Sequence, residues 1–120
     1  MAKFMLILHS APGHWQKMSP EEMQRKVEKY QTWVAKFRSS GRLVSSEKLG
    51  EEGGKLLSLQ RGNLTIVDGP YSEAKEVVGG YFLFRAADYD QAIELVRDCP
   101  FLEDGRIAVR QTDPLGCGGE

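Results

Sequence analysis

The sequence has little of what marks several special classes of protein. Its two cysteines, Cys99 and Cys117, are too few for a disulfide framework and have no CxxC partner that would indicate zinc. The longest apolar run, Phe4–Leu8, is far shorter than the roughly 20 residues that span a bilayer, and it lacks the flanks of a secretory signal. Basic residues number 16 against 17 acidic ones and form no block. We therefore expect a cytoplasmic, reduced protein that has no metal site and binds neither membranes nor nucleic acid.

The clearest local pattern predicts a long helix after Met18. Ser19 is a typical N-cap, Pro20 suits the first helical position, and Glu22 is placed to complete a capping box. An apolar stripe at alternating spacings of four and three residues then runs along one face: Met23, Val27, Tyr30, Val34 and Phe37. Gly41 supplies the C-terminal stop.

Short apolar segments predict the strands, which are Phe4–Leu8, Leu43–Leu49, Lys55–Gln60, Leu64–Val67, Tyr81–Arg85 and Arg106–Arg110. The turn residues Arg61–Asn63 predict a hairpin between the third and fourth segments. Gly79–Gly80 indicates a bulge or a close backbone approach. A second helix is expected to begin after its cap Asp88, with Gln91 completing a capping box, and to end before Pro100. Its expected core-facing residues are Tyr89, Ala92, Ile93 and Val96.

The order of these elements predicts an α+β fold, a ferredoxin-like βαββαβ sandwich with an extra hairpin. Residues 1–112 form the single domain, and the Gly-rich segment 113–120 is expected to be a flexible tail. Two helices cover only one face of such a sheet, yet the strands Phe4–Leu8 and Tyr81–Arg85 are apolar on both faces. We therefore expect a homodimer in which two sheets meet face to face.

The block Asp68–Leu83, DGPYSEAKEVVGGYFL, resembles the signature of the DGPF proteins in the YCII-related superfamily, with Tyr71 in place of the usual Phe. Further similarities follow the family order: Leu6-Ile7, Ser19-Pro20-Glu21-Glu22, Gly41-Arg42-Leu43, Asp90-Gln91-Ala92, Cys99-Pro100 and Val109-Arg110. The resemblance covers about residues 3 to 111. It implies a dimeric α/β barrel, in agreement with the dimer expected from the strand faces.

The resemblance implies less about activity. Some YCII-type relatives carry a His–Asp pair on the first helix, proposed as a catalytic dyad, but the matching stretch here carries Tyr30 and Ser39. Family members often accompany extracytoplasmic-function sigma factors, which suggests a regulatory context. We expect a homodimer that binds a small molecule or regulates such a pathway. The alternative is a hydrolase, lyase or isomerase of a small metabolite that uses Asp68 as acid and base. No cofactor is indicated for either function.

Asp68 is the leading candidate for the site. A carboxylate at a strand end can orient a ligand hydroxyl, accept a proton or bind a cation, but an Asp at the head of a turn also bonds nearby backbone amides. His14 is its candidate partner as an acid–base pair, although sequence spacing does not establish proximity. Tyr71, Glu73 and Lys75 form a polar crossing beside Asp68, which is either a charged cleft or a solvated loop.

Three further residues are candidates for ligand binding. Trp15 lies in the loop that follows the first strand. Tyr81 either places its hydroxyl at a cavity wall or packs in the core. Arg110, with Arg106, flanks the last strand and can grip an anion, or can simply be solvated at the surface.

The expected homodimer is directly measurable. Light scattering at micromolar concentration should give a mass about twice the 13.5 kDa of one chain. The mass of a single chain at that concentration would contradict the face-to-face sheet arrangement.

Overall fold

The computed structural model describes residues 1–50, 52–69 and 76–114. Its strands are β1 (Ala2–Ser10), β2 (Leu43–Lys48), β3 (Lys55–Gln60), β4 (Asn63–Asp68), β5 (Val77–Ala86) and β6 (Arg106–Gln111). Its helices are α1 (Pro20–Ser39) and α2 (Tyr89–Val96), with short 3-10 turns at Trp15–Lys17 and Pro100–Glu103. Within the described ranges, no helix is long and apolar enough to cross a membrane.

The strands form one antiparallel sheet of four strands in the order β2-β5-β1-β6 and a separate hairpin of β3 and β4. The hairpin lies between β2 and β5 in the chain, so the sheet and its two helices follow the order strand, helix, strand, strand, helix, strand. This is the predicted α+β fold with a hairpin added, and it is compatible with a ferredoxin-like arrangement.

The hydrophobic core lies between the helices and one face of the sheet. The sheet contributes the buried side chains Phe4, Leu6, Leu8, Phe82, Phe84 and Ala86. The helices and the turn after α2 contribute Trp33, Phe37, Ala92, Val96, Cys99 and Phe101. The opposite face of the sheet carries the half-buried residues Met5, Ile7, Tyr81, Leu83 and Ala108. The central strands are therefore apolar on both faces, and helices cover only one of them.

The beginning of α1 follows its sequence signals. The Ser19 side chain accepts a hydrogen bond from the Glu22 amide at 3.1 Å, and the Glu22 carboxylate accepts one from the Ser19 amide, which completes the capping box. The apolar stripe does not lie wholly in the core. Its C-terminal end is buried at Phe37, beside Trp33, whereas Val27 is 40% exposed.

The short helix α2 differs from its prediction in two details. Asp88 caps it by accepting from the Gln91 amide, but the Gln91 side chain accepts from the Ala87 amide instead of the Asp88 amide. Tyr89 and Ile93 were expected to face the core, and they are 45% and 50% exposed, although the ring of Tyr89 packs edge-on against the buried Phe4 at 5.0 Å. Helix α2 has only eight residues, and its buried residues are Ala92 and Val96, which share one face.

Strand β5 begins at Val77, four residues before the predicted start, and therefore includes Gly79 and Gly80. Leu8 pairs with Gly80 and His9 pairs with Val78, so Gly79 is the extra residue of a β-bulge. A Cβ atom on Gly80 would lie 2.6 Å from the backbone oxygen of Glu47 in β2. Both alternatives indicated by the glycine pair are thus present, the bulge at Gly79 and the close approach at Gly80.

The two glycines should respond differently to a methyl group. We expect Gly80→Ala to lower the free energy of unfolding by about 1–3 kcal/mol, because the β2 backbone must move away from the added Cβ. Gly79→Ala is the matched control, since its Cβ would lie 4.0 Å from the nearest atom, the Leu8 oxygen. Urea denaturation measures both. Equal losses in the two variants would contradict the close approach at Gly80.

Candidate functional site

A cavity of about 820 Å³ lies on the helix-covered side of the sheet, at the end where β1 stops and β5 starts. Its wall includes Leu8, Ser10, Trp15, Met23, Val27, Tyr30, Val77, Val78, Phe101 and the segment 48–50 with 52–54. Most of this surface is apolar, with a few polar side chains. Such a volume and such a lining are typical of pockets that bind small organic molecules.

The cavity lies where β5 presents a glycine, and no side chain, toward the helices. Phe82 and Phe84 point from β5 toward the helices, so the next residue on that face is Gly80. The aromatic side chains of α1 follow the same order, with Phe37 stacking edge-on against Phe84 and Tyr30 edge-on against Phe82. The first turns of α1 therefore pass over the bare part of β5, and the cavity occupies the space between them.

Tyr30 joins the cavity to the core. Its ring contacts Phe82 at a centroid distance of 5.8 Å and Trp33 at 6.4 Å, and its side chain also forms part of the cavity wall. Among the residues that the structure describes, none forms a hydrogen bond with its hydroxyl group. Burial, with a smaller contribution from Cys99, raises the pKa of Tyr30 well above its usual value, so the phenol stays protonated at neutral pH. The cavity thus contains a neutral hydroxyl group that can donate or accept a hydrogen bond.

Lys26 forms part of the same wall and is held by two carboxylates. Its ammonium group lies 3.0 Å from Asp104 Oδ2 and 3.0 Å from Glu103 Oε1. These hydrogen bonds, that of Asp104 foremost, raise the pKa of Lys26 above its ordinary value. His14 Nε2 lies 3.1 Å from the other oxygen of Asp104, whose side chain is only 7% exposed. Asp104 therefore ties the loop after β1 to α1 beside the cavity.

A second ion pair lies at the rim. Arg106 donates two hydrogen bonds to the carboxylate of Glu76, one of them from Nε to Oε2 at 2.8 Å. Arg106 foremost lowers the pKa of Glu76, so the carboxylate stays ionised. Glu76 lines the cavity, and this pair attaches the beginning of β5 to β6. Arg106, for which the sequence left open anion binding or solvation at the surface, is thus paired with Glu76.

The two residues that the sequence suggested as an acid–base pair have different partners. Asp68 ends β4 on the hairpin, where its 78% exposed side chain pairs with Lys55. His14 pairs with Asp104. No hydrogen bond joins Asp68 to His14 in the described part of the chain, and Asp68 is not part of the cavity wall.

The remaining candidates divide between the two faces of the sheet. Trp15 lies in the cavity wall, with its ring against Phe101 at 5.7 Å. Tyr81 and Arg110 lie on the open face, where Tyr81 Oη is 3.5 Å from the Ser45 hydroxyl and Arg110 pairs across the strands with Met5. The proposed ligand-binding residues Tyr71, Glu73 and Lys75 fall outside the described residues, as does Cys117.

Sequence analysis did not identify three of the residues in the cavity wall, Tyr30, Ser10 and Lys26, as parts of a site. Tyr30 was placed in an apolar stripe, and a tyrosine in such a stripe is a usable signal, because its hydroxyl group needs a polar partner or a cavity. Ser10 is the buried polar residue of the described chain, at 3% exposure, and it follows Phe4, Leu6 and Leu8 on the helix-facing side of β1. Lys26 gives no such signal, since a lysine on a helix is ordinarily solvated.

Two kinds of reactive centre receive no support from the geometry. No cluster of three or more His, Cys, Asp or Glu side chains could hold a metal ion in residues 1–50, 52–69 and 76–114. Burial raises the pKa of the Cys99 thiol to about 11, so it is a protonated core residue at neutral pH and not a nucleophile.

Asp104 and Glu103, the two carboxylates that pair with Lys26, should differ in their contribution to stability. Asp104→Asn removes the charge that His14 and Lys26 share in a nearly buried position, and we expect it to lower the free energy of unfolding by about 1–3 kcal/mol. Glu103→Gln is the matched control, because its side chain is 46% exposed and its ion pairs are screened by solvent, so little change is expected. Thermal or urea unfolding measures both variants. Wild-type stability in both of them would contradict the expected loss in Asp104→Asn.

Comparisons with known proteins agree with this architecture. The profile of the YCII-related domain matches residues 2–115. Among solved structures, 5-chloro-2-hydroxyhydroquinone dehydrochlorinase from Burkholderia phenoliruptrix, in complex with 2,5-dihydroxybenzoquinone, is similar with a TM-score of 0.52. The identity is 13%, and the alignment covers 98% of this chain and 99% of that chain, so the likeness concerns the fold alone. No curated protein matches the sequence. Because the profile spans nearly the whole chain, the protein belongs to the YCII-related domain family.

Proposed function

We propose that this protein binds a small organic molecule in the cavity beside Tyr30, and that it does so as a homodimer. The observation that carries the proposal is the hydroxyl group of Tyr30, which has no described partner and lies in the wall of a largely apolar cavity. Tyr30 is half-buried, and a ligand oxygen in the cavity can supply the hydrogen bond that its hydroxyl group makes with no described residue.

The lining defines a class of ligand. Trp15, Tyr30 and Phe101 offer aromatic surfaces, and Met23 and Val27 offer aliphatic ones, so a flat aromatic ring is well accommodated. The protonated Tyr30 can donate to a carbonyl or phenolic oxygen of that ring. The ammonium group of Lys26 is already paired with Asp104 and Glu103, so a neutral ligand suits this wall better than an anion. The fold relative that carries 2,5-dihydroxybenzoquinone provides a probe with these features.

Described contacts favour binding over catalysis. An acid–base enzyme needs an acid or base within reach of the substrate, and the lining groups Lys26 and Glu76 are both engaged in ion pairs, with Asp104 and Arg106. The raised pKa of Tyr30 also makes it a poor nucleophile at neutral pH. Asp68, the acid and base of the alternative enzymatic function, pairs with Lys55 away from the cavity wall. We therefore retain binding as the proposed function.

The open face of the sheet supports the dimer in this proposal. Met5, Ile7, Leu83 and Ala108 form neighbouring half-buried positions on β1, β5 and β6, with Tyr81 beside them. A contiguous apolar surface at the centre of a sheet is stabilised when a second sheet covers it, and two copies of one surface do so with two-fold symmetry. The helix-lined cavity of each chain stays accessible in that arrangement.

Two tyrosine variants test the site. We expect isothermal titration with 2,5-dihydroxybenzoquinone to show that Tyr30→Phe weakens binding about 5- to 10-fold, because one hydrogen bond is worth about 1 kcal/mol. Tyr81→Phe is the matched control, since the same atom is removed from the open face of the sheet, and its affinity should equal that of the wild type.

Three results would contradict the proposal. The first is equal affinity of the wild type and Tyr30→Phe. The second is a loss of binding confined to Tyr81→Phe, which would move the site to the open face. The third is the absence of any heat or thermal stabilisation with this probe and with related hydroxylated aromatic compounds.

A further inference from the structure

The β3–β4 hairpin has one apolar face and one largely polar face. Directly paired residues share a face, and the pairs Leu57 with Ile66 and Leu59 with Leu64 place four aliphatic side chains together. On the other face, Ser58 pairs with Thr65 and Gln60 pairs with Asn63, and only Leu56 and Val67 are apolar. We call the surface of Leu57, Leu59, Leu64 and Ile66 the apolar face of the hairpin.

This apolar face has no cover within one chain. Its four side chains are 57%, 72%, 59% and 56% exposed, in the order Leu57, Leu59, Leu64 and Ile66. In the described part of the molecule, neither β3 nor β4 packs extensively against the four-stranded sheet or a helix, although each pairs along its whole length with the other. The hairpin therefore projects from the body of the protein.

A projecting hairpin of this kind needs a permanent partner. An isolated pair of strands is at best marginally stable in water, and it becomes stable when its apolar face is covered. The hairpin is nevertheless regular over six paired positions. A partner that binds only occasionally would leave the apolar face exposed for most of the time, whereas another copy of this chain is available whenever the protein is made.

The charge of the hairpin suits an encounter between identical chains. The only ionisable side chains on the apolar face are Lys55 and Asp68, which neutralise each other at its base. Two identical surfaces of net charge near zero meet without the like-charge repulsion that opposes self-association. An acidic or basic foreign partner would find no complementary charge on this face.

The apolar area of the hairpin also fits a contact between two copies of this chain. Fully burying one such aliphatic side chain removes roughly 60–120 Å² of apolar surface. Because these side chains are 56–72% exposed, covering them removes about three fifths of that area. With both arms of a two-fold dimer and the surfaces that receive them, the four side chains account for roughly 600–1,200 Å², whereas a stable interface buries about 1,200–2,000 Å². The open face of the sheet can supply the rest. The hairpin follows the edge strand β2 of that sheet and is roughly 20 Å long, so it can reach a chain seated there.

We propose that the hairpin is an intersubunit arm, whose apolar face packs against a second copy of this chain. The arm also connects the dimer to the candidate site. Gly53 and Gly54 at its base line the cavity, and the Gly69 amide donates to the Gly54 carbonyl at 2.9 Å. Docking of the arm therefore holds the base that forms one wall of the cavity, and this role rests on the proposed homodimer.

A pair of matched double variants tests the arm. Leu57→Ser with Ile66→Ser removes aliphatic groups from the apolar face, and we expect the dissociation constant of the dimer to rise at least ten-fold in sedimentation velocity. Leu56→Ser with Val67→Ser is the control. It changes the neighbouring cross-strand pair on the opposite face, where the side chains are 48% and 42% exposed, and should alter the dissociation constant by less than about two-fold.

Hydrogen exchange supplies a second readout that does not depend on these variants. The paired amides of β3 and β4 should be protected in the wild type well above the dissociation constant and should lose protection on dilution. Leu83→Lys, which places a charge on the open face of the sheet, should give monomers whose hairpin amides exchange rapidly.

The outcomes separate the arm from the sheet-face dimer. If Leu83→Lys gives monomers but the Leu57 and Ile66 double variant dimerises like the wild type, the sheet face holds the dimer and the arm proposal is wrong. Equal effects of the two hairpin double variants would also overturn it. If the wild type dimerises while its hairpin amides exchange freely, the apolar face is left for a foreign partner. A monomeric wild type would overturn both the arm and the dimer.

Discussion

The close approach of the β2 and β5 backbones at Gly80 is the constraint on which the candidate site depends. A Cβ atom there would lie 2.6 Å from the Glu47 oxygen, so any side chain at this position requires the β2 backbone to move. Because Gly80 has no side chain, the helix-facing side of β5 is bare at the position next to Phe82. The first turns of α1 face this bare part of β5, and the cavity lies between them, with Leu8 and Ser10 of β1 in its wall. One backbone contact thus sets both the pairing of the edge strand and the space for a ligand.

The glycine pair also gives a physical meaning to the signature block of this chain. Asp68 and Gly69 end the hairpin, where the Gly69 amide bonds to Gly54, and Gly79 and Gly80 form the bulge and the close approach. Gly79 and Gly80 position backbone around the cavity, whereas Asp68 and Gly69 hold the base of the hairpin. Glu76 of the same block lines the cavity while paired with Arg106, and further groups offered to a ligand come from α1 and from the loop before it.

Local signals in the sequence were sufficient for most of the fold. The capping box of Ser19 and Glu22 and the hairpin turn at Arg61–Asn63 depend on neighbouring residues, so their geometry follows from short segments. The start of β5 was missed because a glycine pair normally interrupts a strand, whereas here the bulge accommodates it.

The candidate site was less accessible because it depends on distant contacts. His14 finds its partner in Asp104, 90 residues further along the chain, and no local spacing indicates that pair. The stripe of α1 looked uniform, yet Phe37 faces packed core and Val27 faces a cavity. An apolar stripe reports that a helix face avoids water but not whether a side chain or an empty space lies opposite.

A crystal structure of the protein with 2,5-dihydroxybenzoquinone would test the central claim most directly, namely that the helix-lined cavity is the ligand site. The claim predicts a ring between Trp15 and Tyr30, with a ligand oxygen within hydrogen-bond distance of the Tyr30 hydroxyl. A ring bound on the open face of the sheet beside Met5, Tyr81 or Arg110, with the cavity empty, would contradict it.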